Sequence, residues 1–366
     1  MAHYKALIIS NPFKGTLSSL RIGEIVKEEL LKKEIDSDYF ASTDGGDGFL
    51  DAFKSVYKDC LYKEVSVRLP IGDKYHKVKY LYREKTKTIY ISLSDTCGIK
   101  YINEKDRNPL IGNAYGLGEA IKDAIETFDV RKMVIGLGGS ASVDLGSSLL
   151  EALGTKFYDL NNNEITGLCN EKLKEVERID ITKTKKLLEG IKITLYSDVY
   201  TTLFTNGAVD LYSLTKGAKE KNVCIIKENA QHFFNILGFE KDKKTYGAAG
   251  GVSFALIELL SAKIKLGSRE FLKEIKFGRI KNNYDFIVTG EGQFDEETLQ
   301  GKLISSILKY HPKKLMILCG TNKIKEYPGV YSIVPKIMSK EESIKNPEAG
   351  IRKLIRSINF NKFLFK

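Results

Sequence analysis

The sequence predicts an α/β protein of two domains, on three observations. Strand–loop–helix alternation opens the chain, a stretch of short β-rich runs interrupts it, and the alternation returns toward the end. A length of 366 residues also exceeds what one core usually supports.

Tyr4 to Ser10 is an apolar run of strand length. An amphipathic helix follows from about Ser18 to Lys33, with Ile22, Ile25, Val26 and Leu30 on one face. A second strand near Asp38 to Ala41 ends in the loop Ser42-Thr43-Asp44-Gly45-Gly46-Asp47-Gly48, and a helix runs from Phe49 to Tyr57. From Cys60 to Leu93 the runs Tyr62 to Arg68, Val78 to Tyr82 and Ile89 to Ser92 predict a mixed or antiparallel sheet and the start of a second domain. Helix–strand alternation resumes with a helix over Ala114 to Thr127, a strand over Lys132 to Gly136 and a helix over Val143 to Leu153. Asp285 to Thr289 and Leu315 to Cys319 read as buried parallel strands flanking a helix from Glu297 to Tyr310. If those strands join the first sheet, the β-rich middle is an insertion. Ile351, Leu354, Ile355 and Ile358 make one packing stripe, so the basic tail predicts a docking helix rather than a membrane-surface one.

Composition narrows the function classes. The longest weakly polar stretch, Gly247 to Ala262, carries Glu258 and is shorter than the roughly 20 apolar residues a span requires. No opening segment has the pattern of a signal peptide. The chain therefore reads as soluble and cytoplasmic. Cys60, Cys97, Cys169, Cys224 and Cys319 are odd in number and form no C-x-x-C pair, which argues against a disulfide framework or a zinc site. The net charge of +11 favours anionic partners, yet the charges are spread along the chain and no nucleic-acid module is recognisable.

Six Gly-rich loops carry the candidate chemistry. They are Asn11 to Thr16, Asp44 to Gly48, Gly136 to Asp144, Tyr196 to Val199 with Lys216-Gly217 beyond, Gly247 to Gly251, and Thr289 to Asp295 leading to Gly301-Lys302. Loops at the carboxyl ends of parallel strands converge on a crevice. Glycines let backbone N–H groups approach a phosphate, carboxylates hold Mg²⁺ through oxygen, and lysines neutralise a phosphoryl group in flight. Each loop alone is also what a tight turn or a helix cap needs, so the set carries the weight. Gly136-x-Gly138-x-x-Ala141 with Asp159 fits a dinucleotide fingerprint in spacing, but Asn161-Asn162-Asn163 predicts a turn beside Asp159. Gly136 to Ser142 also resembles the phosphate loop of the GHMP small-molecule kinases, while a Walker-type lysine loop and the protein-kinase signatures are absent.

In order, these segments resemble the bacterial type I glycerate kinases. The resemblance rests on Phe13-Lys14-Gly15 with Leu17-Ser18, Asp44 to Gly48, Ile135 to Asp144 with Glu151 to Gly154, and Ser197-Asp198-Val199. Asn206-Gly207-Ala208, Lys216-Gly217-Ala218, Gly247 to Gly251, and Thr289 to Gly292 with Asp295, Thr298, Gly301 and Lys302 complete it, over about residues 4 to 320. It implies a flavodoxin-like parallel-sheet domain built from both chain ends, 1–62 and 283–366. Between them it implies an inserted mixed α/β domain, 63–282, resembling restriction enzymes. The implied reaction is transfer of the ATP γ-phosphoryl group to a hydroxyl of D-glycerate with Mg²⁺. The chain departs from the family pattern at Asn11, Pro12, Val143, Leu145, Thr201-Thr202, Gln293 and Gln300, and the last two remove cationic contacts. A kinase for another small hydroxy acid or polyol, and a nucleotide- or metabolite-binding relative without turnover, stay open as alternatives.

The candidate catalytic residues are Asp198, Asp295 and Lys14, with Asp198 and Asp295 also candidate Mg²⁺ ligands. Candidate substrate or phosphate contacts are Lys216, Lys302, Asp44, Asp47, Gly138, Gly139, Ser140, Ser142 and Glu291. The partner expected is a small molecule, with no nucleic acid and no membrane. A homodimer is compatible with the sequence, which does not say which hydroxyl is phosphorylated.

Overall fold

A computed structural model describes residues 4–13, 15–205, 207–299, 302–325 and 327–364. The fold is mixed α/β with parallel sheets. The opening strand, Lys5–Ser10, is buried at every residue after the first, as a strand covered on both faces must be. Ala6 and Ile8 enter one apolar layer, and Leu7 and Ile9 enter the other. The strand pairs in parallel with Asp36–Ala41 and with Phe286–Phe294. Leu315–Asn322 and Val330–Val334 continue the sheet, also in parallel. Ranked by place in the chain, these five strands lie in the order 2-1-3-4-5.

The helix Ser19–Leu31 covers one face of this sheet. Ser18 caps it by accepting from the Arg21 N–H, and Ile22, Ile25, Val26 and Leu30 form the buried stripe that their spacing predicts. The helix Pro347–Ser357 lies against it, burying Ile351, Leu354 and Ile355. Glu29, 1% exposed, ties the two helices together. Its carboxylate accepts from Arg356 Nε at 2.7 Å, Arg352 Nη1 at 3.1 Å and Lys32 Nζ at 2.8 Å. These cations, Arg356 foremost, hold the Glu29 carboxyl well below the usual carboxylate range. Phe271, Leu272, Phe277, Leu303 and Ile307 cover the opposite face, against Leu7 and Ile9.

These elements form one compact unit, Met1–Asp44, Asp51–Lys58 and Leu266–Lys366. Residues 266–282 cluster with it rather than with the insert to which the sequence boundary assigns them, because Phe271, Leu272 and Phe277 pack on its sheet. The helix expected from Glu297 to Tyr310 is described as a 3₁₀ turn, Glu296–Leu299, and a helix, Leu303–Leu308.

The second unit is Gly45–Leu50 and Asp59–Lys265. Its six-stranded sheet runs Lys263–Lys265, Lys192–Tyr196, Lys132–Gly136, Thr88–Ser92, Tyr75–Arg83, Leu61–Arg68. The first four strands are mutually parallel and the last two are joined on by antiparallel pairings, which is the mixed sheet expected after Cys60. Leu117 and Ile121 of the helix Tyr115–Thr127 join Ile89, Ile91, Met133 and Ile135 in one core. A second core gathers Phe157, Phe233, Phe234 and Phe254. The helix expected over Val143 to Leu153 begins only at Ser147. Leu145 at φ 54° and Gly146 at φ 78° hold the preceding residues in a loop, since left-handed backbone cannot continue a right-handed helix. The sequence reading also lacked the small sheet of Lys156–Tyr158, Glu164–Ile165 and Arg178–Asp180. Its hairpin turns where Asp159 Oδ1 accepts from the Asn163 N–H at 2.8 Å, the turn that the asparagine run predicts. Among the described residues no helix is long and apolar enough to cross a membrane.

Candidate functional site

In the first unit, adjacent strands Lys5–Ser10 and Phe286–Phe294 send their following loops apart, because the strand order reverses between them. A crevice at such a point is where open α/β sheets bind ligands. Here a cavity of about 450 Å³ is lined by Asn11, Asp44, Glu291, Gln293, Asp295 and Lys302, among others. Asn11 is fixed in its lining by two hydrogen bonds. The Asn11 N–H donates to the Gly290 carbonyl at 2.9 Å, and Ser42 Oγ donates to Asn11 Oδ1 at 3.1 Å.

Asp295 is held in place by three donors. Its Oδ2 accepts from Gln293 Nε2 at 2.7 Å, and its Oδ1 accepts from the Thr298 N–H at 3.1 Å and Thr298 Oγ1 at 3.2 Å. The Gln293 hydrogen bond leads in holding this carboxyl below its ordinary range. Asp295 therefore caps the 3₁₀ turn Glu296–Leu299 while facing the cavity, and a carboxylate so satisfied is a weak proton acceptor. Gln293, where the family pattern carries Arg, donates to Asp295 rather than leaving a cation free for a ligand. Lys302 Nζ lies 3.3 Å from Glu297 Oε2. Glu291 is buried beside Cys319, whose thiol is pushed up to about 12, by burial first and then by the Glu291 charge. That thiol is no nucleophile at neutral pH.

In the second unit three loops meet backbone to backbone. A Cβ on Gly138 would fall 2.3 Å from Gly46 Cα, and one on Gly45 would fall 2.1 Å from the Tyr196 carbonyl oxygen. The close approach explains the glycines: no side chain fits between these chains. Asp47 accepts from Ser94 Oγ, and its carboxylate lies 3.5 Å from Lys100 Nζ. In the loop after Lys132–Gly136, the Ala141 N–H donates to the Cys97 carbonyl at 3.1 Å and the Ser142 N–H to Ser140 Oγ at 3.1 Å. Among the described residues the N–H groups of Gly138, Gly139 and Ser140 enter no hydrogen bond. Three successive amide donors are thus left without a protein partner, with Gly139 at φ 66°.

Beneath this loop lie two buried charged side chains. Asp144, fully buried, accepts from the Gly146 N–H and the Ser148 N–H, each at 3.2 Å, and from Ser148 Oγ. Lys216, 8% exposed, donates from Nζ to the Ser142 carbonyl at 2.6 Å. Burial lowers the Lys216 ammonium to about 8, with the Asp144 charge opposing the fall. Burial likewise pushes the Asp144 carboxyl up, against the hydrogen bonds from Ser148. Lys216 thus holds the Ser142 end of the loop from within the unit.

The expected residues sort by unit. Asp44, Glu291, Asp295 and Lys302 share the cavity of the first unit. Asp47, Gly138, Gly139, Ser140, Ser142, Asp198 and Lys216 belong to the second, where Asp198 follows the strand Lys192–Tyr196. Lys14, Asn206, Gln300 and Gly301 lie outside the described residues. Among the described residues no group of three or more His, Cys, Asp or Glu is assembled as a metal cage. Arg107, absent from the sequence reading, lies in the second unit beside Gly217. Its signal is faint: one arginine in the charged run Glu104 to Arg107, followed by Asn108-Pro109.

The fold is a parallel α/β sheet with a cavity at the strand-order reversal and glycine-rich loops after its strands. The comparisons give the family. The glycerate kinase family model matches residues 6–361, and the chain belongs to that family, a kinase family. It is 27% identical to a glycerate kinase of Halalkalibacterium halodurans over 96% of each chain. It is 26% identical to a glycerate 2-kinase of Escherichia coli over 97% of each, and 29% identical to a glycerate kinase of Haemophilus influenzae over 86% of this chain and 85% of that one. These identities make it a divergent member. A crystal structure from Salmonella typhimurium LT2, carrying a glycerate kinase 2 name, shares the fold with a TM-score of 0.77 at 22% identity over 98% of both chains.

Proposed function

We propose that this enzyme transfers the γ-phosphoryl group of ATP to a hydroxyl of D-glycerate, giving phosphoglycerate and ADP. The observation that carries the reading is the family match across residues 6–361. Phosphoryl transfer asks a protein mainly to position the reactants and to stabilise spreading negative charge. The N–H groups of Gly138, Gly139 and Ser140 supply three fixed donors for phosphate oxygens, and the Lys216 ammonium keeps the loop carbonyl of Ser142 in place. Asp198 takes the proton of the attacking hydroxyl as its oxygen bonds to the γ-phosphorus and the bond to the ADP oxygen breaks. Asp295, already accepting three hydrogen bonds, is the weaker candidate for that role.

Mg²⁺ asks for one or two carboxylates beside nucleotide phosphates rather than a full protein cage. Asp44 and Asp295 line one cavity and satisfy that requirement. When bound there, Mg²⁺ would neutralise charge on the phosphate oxygens. Lys302 and Glu291 of the same cavity, Asp47 of the second unit, and Lys14 are proposed as further contacts to phosphate, carboxylate or hydroxyl groups. The parallel 2-1-3-4-5 order supports a flavodoxin-like reading of the first unit, with the second as a restriction-enzyme-like insert. Acceptor panels including glycerol and other small hydroxy acids test the substrate. A preference for any of these over D-glycerate would reassign it.

A further inference from the structure

Arg107 lies in the second unit beside Gly217 and carries a guanidinium nitrogen that the described residues leave unsatisfied. Its Nε is buried and lacks a hydrogen-bond partner, and its guanidinium joins no ion pair among the described residues. Removing a guanidinium nitrogen from water without replacing its hydrogen bond is costly, and a native structure tolerates it where a ligand completes the site. The location fits that reading. Gly217, at φ 94°, packs so closely that a Cβ there would fall 2.6 Å from both Cβ and the carbonyl oxygen of Arg107. Gly217 directly follows Lys216, whose Nζ holds Ser142. On the other side of Arg107, the segment reaching Gly112 abuts the same loop, since a Cβ on Gly112 would fall 2.7 Å from the Ala141 oxygen. The Gly112 N–H donates to the Asn108 carbonyl at 3.0 Å, which fixes the turn that carries Arg107.

We infer that Arg107 is a substrate-binding residue whose guanidinium takes an oxyanion of the reactants beside the Gly138–Ser142 loop. The planar fork of arginine suits a carboxylate or a phosphate, and pairs with either bidentately. The inference rests on the proposed kinase reading, because it takes the ligand to be one of that reaction's substrates. The glycerate carboxylate and a nucleotide phosphate offer the same chemistry, so the experiment separates them.

Initial rates are measured over D-glycerate and ATP for wild type, Arg107→Met, Arg107→Lys and Arg131→Met. The last removes one exposed charge elsewhere in the unit. Calorimetric binding of D-glycerate and of ADP, and thermal unfolding, accompany each variant. Arg107→Met is expected to raise one KM by about 10- to 100-fold, the range for losing hydrogen bonds to a charged group. Arg107→Lys, keeping the charge without the fork, falls between, and Arg131→Met matches wild type. A rise confined to D-glycerate identifies the carboxylate, and one confined to ATP, with weaker ADP binding, identifies the phosphate. If Arg107→Met unfolds, Arg107→Lys alone carries the comparison. Wild-type turnover of D-glycerate with KM values and binding unchanged in both Arg107 variants overturns the inference alone. A wild type that neither turns over nor binds either compound overturns the kinase reading, and this inference with it.

Discussion

Replacing Lys216 by Met tests the buried cation beneath the loop through its own pH dependence. Burial lowers the Lys216 ammonium from 10.5 to about 8. Below pH 8 the side chain is protonated in both folded and unfolded chains, and folding carries the full desolvation cost. Between pH 8 and 10.5 the unfolded chain binds the extra proton, so stability rises with pH across that window. A displacement of this size corresponds to about 3 kcal/mol at 1.36 kcal/mol per pKa unit, and about 2 to 3 kcal/mol of it is recovered between pH 7 and pH 10. The Met variant lacks the titrating group and also the bond to the Ser142 carbonyl, whose loss is a constant offset above pH 10. Urea unfolding of both proteins at pH 7, 8, 9 and 10 isolates the effect, because other lysines and tyrosines titrate alike in the pair. The wild type should gain about 2 to 3 kcal/mol on the variant over that range. Parallel stability curves would refute the argument and would mean that the ammonium is solvated or fully compensated by Asp144.

Four further outcomes are expected. Glu29→Gln should destabilise the fold at pH 7, because the buried Glu29 carboxylate loses the charge that holds Arg356, Arg352 and Lys32. Because the folded Glu29 carboxyl lies below its unfolded range, the gap to wild type should persist above about pH 4.3 and shrink as the pH falls further, which acid unfolding reads directly. Gly138→Ala, placing a methyl 2.3 Å from Gly46 Cα, should lower kcat about 100-fold as the amide row shifts; unchanged kcat would remove that loop from the mechanism. Asp198→Ala should lower kcat by about 100-fold or more. Asp295→Ala should also lose its cap and about 1 kcal/mol of stability, measurable by thermal unfolding. Near-wild-type turnover in both variants would reject these aspartates as functional groups.

Much of the first unit was legible because its signals are local. Tyr4 to Ser10 is apolar at strand length, and Ile22, Ile25, Val26 and Leu30 recur at helical spacing. The candidate loops were visible as glycine clusters, and their close backbone contacts give those glycines a physical reason. What stayed hidden depends on contacts distant in sequence. Nothing near Lys216 announces that Ser142, 74 residues earlier, will receive its ammonium. Arg107 sits in a charged run like any solvated surface segment, and the burial of its unpartnered Nε exists only after folding. The helix expected from Val143 failed for a local reason that composition conceals, the left-handed backbone at Leu145.

ADP release by the purified protein with ATP and Mg²⁺, with and without D-glycerate, tests the central claim most directly. Release that depends on D-glycerate, with phosphoglycerate formed in equal amount, is the predicted result. ATP bound without glycerate-dependent release would contradict it.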